Sequence, residues 1–281
     1  MTRRSTRGDP RQPSSRRRRA PKKAPLPQDK ESPPESPEEA EAAFLAAYDP
    51  GAYDRPSVTV DVVLLSAYAG GLGCLVVRRA EHPFRGRLAL PGTFVGMSES
   101  LDAAARRAIE SKANLRGVYL EQLYSFGRPD RDPRTRVITV AYYALVDEAR
   151  FEGAARRAGD AILGCVLVPW EGETGGEVEL VDEQGAPLPL AFDHAEIIGM
   201  AVKRIRGKLD YTPIGFQLLP EKFTLLELQR VHETVLGRPL NKDSFRRRML
   251  ASGLLEASGE SQTEVDHRPA ELYRFGKRSA V

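Results

Sequence analysis

Between Gly92 and Leu115 the chain reads GTFVGMSESLDAAARRAIESKANL. A Pro91–Gly92 turn leads through a short loop into an amphipathic helical run. Glu99 precedes the helix and Arg107 lies on it, at a spacing that lets the acid pair with the guanidinium. On the helix Ala108, Ser111 and Lys112 fall at i, i+3 and i+4, which is one face. Carboxylates there would make an oxygen cluster for Mg²⁺, a hard cation that wants near-octahedral oxygen ligands. Such a metal would neutralise phosphate charge and activate water. The face carries instead a methyl, a hydroxyl and an ammonium. That set does not ligate Mg²⁺ but tolerates a bound phosphate. Glu110 is acidic and lies on another part of the helix surface.

Cations around this stretch suit phosphate oxygens, because arginine forks match them bidentately. The candidates are Arg79, Arg87, Arg107, Lys112, Arg131 and Arg134, with Phe94 and Tyr124 as rings to stack on a base or flank a ribose. The RDPR turn at 131–134 stands out, since two arginines on one turn precede a strand. It also reads as a solvated surface loop. An arginine placed as Arg107 is more often a helix-organising ion-pair residue, here with Glu99, than a ligand contact.

A second constellation lies near the C-terminus. In NKDSFRRRMLASGLL, residues 241–255, Lys242, Ser244, Arg246, Arg247 and Arg248 precede an apolar end. Phe245, Met249 and Leu250 supply a core face, so some of the arginines must point outward. Arginine and serine on a recognition helix suit base edges and phosphates in the major groove. A helix precedes it at 223–236, with Leu225, Leu228, Val231 and Val235 on one face. Thr224 and Glu227 have the spacing of a capping box. Residues 254–275 read as a two-stranded ribbon with a polar tip from Gly259 to Arg268. Helix, turn, helix and ribbon make a winged helix-turn-helix. A solvated basic helix that only packs, or a protein-binding winged helix, is the alternative.

The elements that must position the first constellation follow from the pattern. SVTVDVVLLSAY (57–68) is β-branched and alternating, a strand, and GLGCLVVRRA (71–80) pairs with it across a Gly-Gly turn. HPFRGRLALPGTFV (82–95) leads into the loop, and a helix follows over 100–113. Strands are expected at 118–126, 137–146 and 164–170. A hairpin is expected over 177–192 with its turn at Glu183–Gly185, and a closing helix follows in AEIIGMAVKRIRGKL. The order β-β-α-β-β-β-β-α predicts a mixed sheet between helices. The fold class is therefore α+β, an α/β/α sandwich followed by a winged helix. Domains are expected at 1–40, 41–210 and 211–281.

Composition bounds the rest. The chain has 281 residues, 42 Lys/Arg against 39 Asp/Glu, and a net charge of +3. Residues 1–40 hold 11 basic against 6 acidic side chains, net +5, so the remainder sums to −2. That N-terminal arm is rich in Arg, Pro, Ser and Glu and poor in large apolar residues, which predicts disorder. Its run Arg16–Arg19 adds non-specific attraction to nucleic acid or serves as a solubilising tail. A short helix is expected to start near Pro37. No apolar run reaches a membrane span, and no secretory h-region follows the basic start. Cys74 and Cys165 each sit in an apolar run and read as reduced cysteines of a cytosolic protein. The four histidines are scattered, without metal-site spacing.

The stretch Gly92–Leu115 resembles the Nudix box, G-x5-E-x7-R-E-U-x-E-E-x-G-U, where U is bulky and apolar. Thr93 stands at the first glycine, and Glu99, Arg107, Ile109 and Leu115 match. The three later glutamates are replaced by Ala108, Ser111 and Lys112, and the last glycine by Asn114. Residues 50–276 as a whole resemble the Nudix-related transcriptional regulators, through RPSVTVDVV, HPFRGRLALPG, RPDRDPRTRVITVAYYAL, AFDHAEII and LLPEKFTLLELQRVHE…KDSFRRRML…RPAELYRF. The resemblance implies a homodimeric bacterial repressor of NAD biosynthesis or salvage genes, located with the nucleoid and bound to a palindromic operator. It implies ADP-ribose or a related nucleotide as effector in a cleft without catalysis, metal or cofactor. Relatives that answer to sugar-derived signals leave a second regulon open. Two other readings stay open: a working pyrophosphatase using Glu99, Asp102 and Glu110, and a structural relative.

Overall fold

The computed structural model describes residues 36–209, 211–263 and 269–276. Residues 36–55 belong to a unit of their own. There Ser36 caps helix α1 (Pro37–Ala47), accepting from the Glu39 amide, with Pro37 at the first helical position where its missing N–H costs nothing. The disorder expected for residues 1–40 is corrected at its end, where residues 37–40 are helical; residues 1–35 lie outside the described residues.

From Pro56 onward the apolar alternation folds into a mixed sheet. Strand β1 (Ser57–Tyr68) pairs with β2 (Gly71–Arg78) antiparallel and with β6 (Val137–Leu145) in parallel. Strand β5 (Tyr119–Phe126) flanks β6, while β7 (Ala161–Leu167) and β8 (Glu179–Val181) extend the sheet beyond β2. Two short strands, β3 (Leu88–Ala89) and β4 (Gly92–Phe94), pair with β2 and β1 on either side of Pro91.

Helix α2 (Leu101–Ala113) covers one face of the sheet with Ala104, Ala105, Ala108, Ile109 and Ala113. Its small residues let the helix lie close to the strands. Ser100 caps it, and Asn114 ends it in a left-handed conformation at φ 50°. Asparagine tolerates that conformation, which is why it can replace the last glycine of the box. Helix α3 (Glu148–Arg157) packs on the same face through Phe151 and Ala154. The sequence reading missed it. Its basic and small residues hide the amphipathic period, and its burial rests on two side chains.

Helix α4 (His194–Lys208) covers the opposite face with Ile197, Ile198, Ala201, Val202 and Ile205. The expected hairpin over 177–192 forms, with its turn between Asp182 and Ala186. Its first arm is β8, and the return pairs antiparallel at Val181 and Pro187 and through Leu188 N–H to Leu180 O; Pro187 and Pro189 have no N–H to donate, so the return is not a strand of its own. The turn itself is held by Asp182, whose carboxylate accepts from the Gln184 and Ala186 amides.

Beyond α4 a 3₁₀ turn (Pro213–Leu218) leads to helix α5 (Leu225–Leu236), which starts with the expected Thr224–Glu227 capping box. Helix α6 (Lys242–Ala251) follows, then the ribbon β9 (Leu255–Ser261) and β10 (Glu271–Phe275). Part of the expected polar tip, residues 264–268, lies outside the described residues, and Gly259 falls within β9. Phe216, Phe223, Leu225, Leu228, Phe245, Met249 and Tyr273 form the core of this second domain. The α4-side core runs on without a break into Ile214, Leu218, Val231 and Val235, so the two domains share apolar packing.

Candidate functional site

Strand register builds the first site. Gly92 on β4, Asp61 on β1, Ala141 on β6 and Tyr124 on β5 lie in one row across the sheet. Phe94, Thr59, Thr139 and Phe126 lie in the next. Phe94 and Tyr124 are both about half exposed. They stand three strand spacings apart, about 14 Å, too wide to clamp one base between them. Tyr124 meets Phe126 edge-on.

Asp61 is an acid in an otherwise apolar strand, and it anchors a buried polar cluster. Arg131 donates to Asp193 from Nε at 2.8 Å and from Nη2 at 2.7 Å, and reaches Asp61 at 3.5 Å. His194 Nδ1 accepts from the Leu90 amide at 3.0 Å, and its Nε2 stands 3.8 Å from Asp61. Burial holds the His194 pKa below the usual imidazole range despite the nearby acids, so the ring is neutral. Burial is the largest influence on Arg131 and works against its charge, but the hydrogen bonds to Asp193 and the charges of Asp61, Asp193 and Asp132 together outweigh it and raise its pKa.

Arg131 is therefore a correction. It was expected to face a phosphate, yet its fork is spent on two carboxylates inside the protein. Asp61, Asp193 and His194 were missed. The signal that could have found them is the polar residue set in apolar surroundings: the lone Asp of SVTVDVVLLSAY and the Asp-His pair opening α4.

Above this cluster lies an exposed cationic and aromatic surface. Arg134 pairs with Asp132 at 2.7 Å and sits over the Phe94 ring at 5.7 Å. Arg79 stacks on Phe192 at 4.8 Å and donates to Pro83 O at 2.8 Å. Burial and then the charge of Arg134 hold the Arg79 pKa below its usual value. Two guanidiniums that repel each other favour an anion between them. Arg87 is exposed beside the Phe84 ring, and Phe84 packs edge-on against Phe192. Arg79, Arg87, Phe94 and Arg134 are thus brought together.

Arg107 and Lys112 are not part of that surface. Arg107 holds the box loop, donating to Glu99, to Thr93 Oγ1 at 2.9 Å and to Phe94 O at 3.0 Å. Glu99 in turn accepts from the Gly96 amide at 2.7 Å. Lys112 is exposed on α2, across the sheet from α4. The metal-ligand positions do not fit Mg²⁺. Ala108 is fully buried against the sheet, and the Ser111 hydroxyl donates to Ala108 O at 3.3 Å. Among the described residues no three acids, histidines or cysteines converge to hold a metal.

The second site is α6. Asn241 caps it by accepting from the Ser244 amide at 3.0 Å. Phe245 and Met249 are buried, whereas Leu250, expected in the core, is 46% exposed. At about 100° per residue, Leu250 turns too far from the Phe245–Met249 line to reach the α5 side. The same geometry puts Arg247 opposite the core, with Arg246 and Arg248 on the flanks. Arg246 lies near the wing residue Tyr273, and Arg248 near the Phe245 ring at 5.7 Å. Lys242, Ser244 and all three arginines are exposed. The turn before α6 is tied to α5: the Leu240 amide donates to Glu233 at 2.8 Å, and Gln229 bonds both Glu233 and Leu240 O.

Comparison with known proteins agrees with both halves. Residues 55–179 match the NUDIX domain, and residues 215–275 match the NrtR DNA-binding winged helix domain. The chain is similar to the ADPR responsive transcriptional repressor NtrR of Acinetobacter baylyi, 37% identical over 238 residues, 84% of this chain and 88% of that one. The chain belongs to the Nudix-related transcriptional regulator family. It is also similar to the crystal structure of Shewanella oneidensis NrtR complexed with a 27mer DNA. There the identity is 34% and the TM-score 0.65, over 78% of this chain and 93% of that chain. An ADP-ribose pyrophosphatase of Methanocaldococcus jannaschii is 32% identical over 146 residues, 52% of this chain and 73% of its own. No helix among the described residues is long and apolar enough to cross a membrane.

Proposed function

We propose that this protein is a transcriptional repressor that binds operator DNA through α6 and the wing, and that ADP-ribose or a close relative releases it. The observation that carries this reading is the pairing of two features in one chain. One is a Nudix box whose metal positions hold Ala108, Ser111 and Lys112. The other is a winged helix with an exposed arginine run. The Acinetobacter relative is named for its response to ADP-ribose, and the Shewanella relative was crystallised on DNA.

The effector surface of this reading is Arg79, Arg87, Phe94 and Arg134, with Tyr124 at its far margin. Arg107 shapes the loop beneath it. Two such chains form a homodimer on a palindromic site, since one winged helix spans too few base pairs for a specific site. Control of NAD biosynthesis or salvage genes follows from the effector. With no acid cluster for Mg²⁺, the cleft binds the nucleotide without cleaving it.

A mobility shift on the DNA upstream of the chain's own operon, with and without ADP-ribose, tests the proposal. A retarded band that ADP-ribose weakens is expected. No band, or a band indifferent to ADP-ribose at millimolar concentration, overturns it.

A further inference from the structure

Helix α4 runs from the first site to α5, the helix that precedes α6. Its first turn lies in the buried cluster under the proposed effector surface: Asp193 takes the Arg131 fork, and His194 holds the Leu90 amide. The last turn of α4 lies at the other end of this fifteen-residue helix, which is about 22 Å long. There Arg206 is buried, and no carboxylate among the described residues pairs with it. Its Nε donates to Val235 O in the last turn of α5 at 2.8 Å, and its Nη1 donates to Gly172 O at 3.1 Å and to Trp170 O at 3.3 Å. The guanidinium also stacks on the Trp170 ring at 4.8 Å.

Three carbonyls from two domains thus hold one buried cation, at a helix C-terminus where the backbone dipole favours positive charge. A small slide of α5 past α4 would take the Val235 O acceptor from the Arg206 Nε–H, which is costly in a dry interior. Packed contacts of this kind switch between discrete arrangements and do not deform gradually.

The segment 170–176 is clamped along the same helix. Gly199 of α4 lies so close to Gly176 O that a Cβ there would stand 1.8 Å from it. Lys203 donates to Thr174 O at 3.3 Å. Helix α4, this segment and the end of α5 are therefore tied together, and the shared apolar core runs alongside them.

We propose that α4 is the strut that carries the effector state to the winged helix, and that Arg206 is the positioning residue at its far end. This rests on the repressor reading above. An anion gathered by Arg79 and Arg134 alters the field on the Asp61–Arg131–Asp193 cluster, which bears on the first turn of α4. Arg206 passes any resulting displacement to the end of α5, and the Glu233–Leu240 tie passes it to α6. A ligand acts this way only by its difference in affinity between the two states, and the coupling is reciprocal.

Two variants of the full chain test this. Arg206→Met removes the donors and keeps apolar bulk. Gly237→Asn acts from the other side. Gly237 caps α5 at φ 70°, which asparagine tolerates, and a Cβ there would stand 3.0 Å from Arg206 Nη2. ADP-ribose affinity is read by calorimetry, and affinity for the upstream DNA is read with and without ADP-ribose. Wild type should lose about 5- to 150-fold in DNA affinity on saturation. Both variants should bind ADP-ribose as wild type does, while that loss shrinks to within about two-fold of none. If Arg206→Met fails to fold, Gly237→Asn decides alone. A full response in folded variants overturns the Arg206 role and leaves the repressor reading standing. A wild type indifferent to ADP-ribose overturns both.

Discussion

Arg131 grips Asp193 with two donors, at 2.8 and 2.7 Å, and both side chains are almost wholly removed from solvent. The pair joins the loop before β6 to the start of α4, and Asp61 shares the charge from below. Arg131 thus lies beneath the proposed effector surface, with its fork spent on carboxylates. Arg134, three positions on along the same turn, keeps its charge at the surface.

The two arginines should therefore differ in kind. Arg131→Ala leaves two buried carboxylates uncompensated and should cost about 3–5 kcal/mol of folding stability. Arg134→Ala should leave stability nearly unchanged and weaken ADP-ribose binding. Urea unfolding beside calorimetry separates them. Equal stability loss in the two variants would contradict this assignment.

His194 gives a pH signature. Its folded pKa lies below the unfolded value, so the unfolded chain takes up the proton first. The stability it contributes is complete above the unfolded pKa of about 6.5 and declines as pH falls through that value toward the folded pKa. His194→Gln keeps an acceptor for the Leu90 amide and cannot titrate. Its unfolding free energy should vary less than wild type between about pH 5 and 7. Parallel pH profiles for the two proteins would refute the neutral buried assignment.

On α6 the geometry ranks the arginines. Arg247, opposite the core, should face bases, and Arg247→Ala should cost about 1–3 kcal/mol and relax specificity at one position. Arg246 and Arg248 on the flanks should face phosphates. Their alanine variants should weaken all sequences alike and lower the salt slope by about 1 each. Unchanged DNA affinity in all three would remove α6 as the reading helix.

Mg²⁺ with ADP-ribose should yield no turnover, since Ala108 is buried and Ser111 and Lys112 offer no carboxylate. A rate near the ordinary enzyme value of about 10 s⁻¹ would show that Glu99, Asp102 or Glu110 has taken over. The structure gives those acids other work: Glu99 holds Arg107 and the Gly96 amide, and Asp102 accepts from the Tyr142 hydroxyl at 2.6 Å.

Local sequence alone determined the elements whose signals are local. Thr224 and Glu227 cap α5 because a capping box needs only four consecutive residues. Strand β1 follows from its alternation, and the loss of box acids can be read letter by letter. Helix α3 escaped because arginines and small residues blur its period. Glu99 could be read as the partner of Arg107 from spacing within one loop and helix, but the partners of Arg131, Arg134 and Arg206 could not. Arg131 and Arg134 sit three positions apart with the same chemistry, yet one is buried on Asp193, distant in sequence, and the other lies over Phe94. Which carboxylate an arginine meets depends on strand register and on where α4 begins. Arg206 carries the same lesson further: its acceptors are backbone carbonyls, which every residue has and no residue type announces. Only the packing of α4 against α5 brings them to one cation.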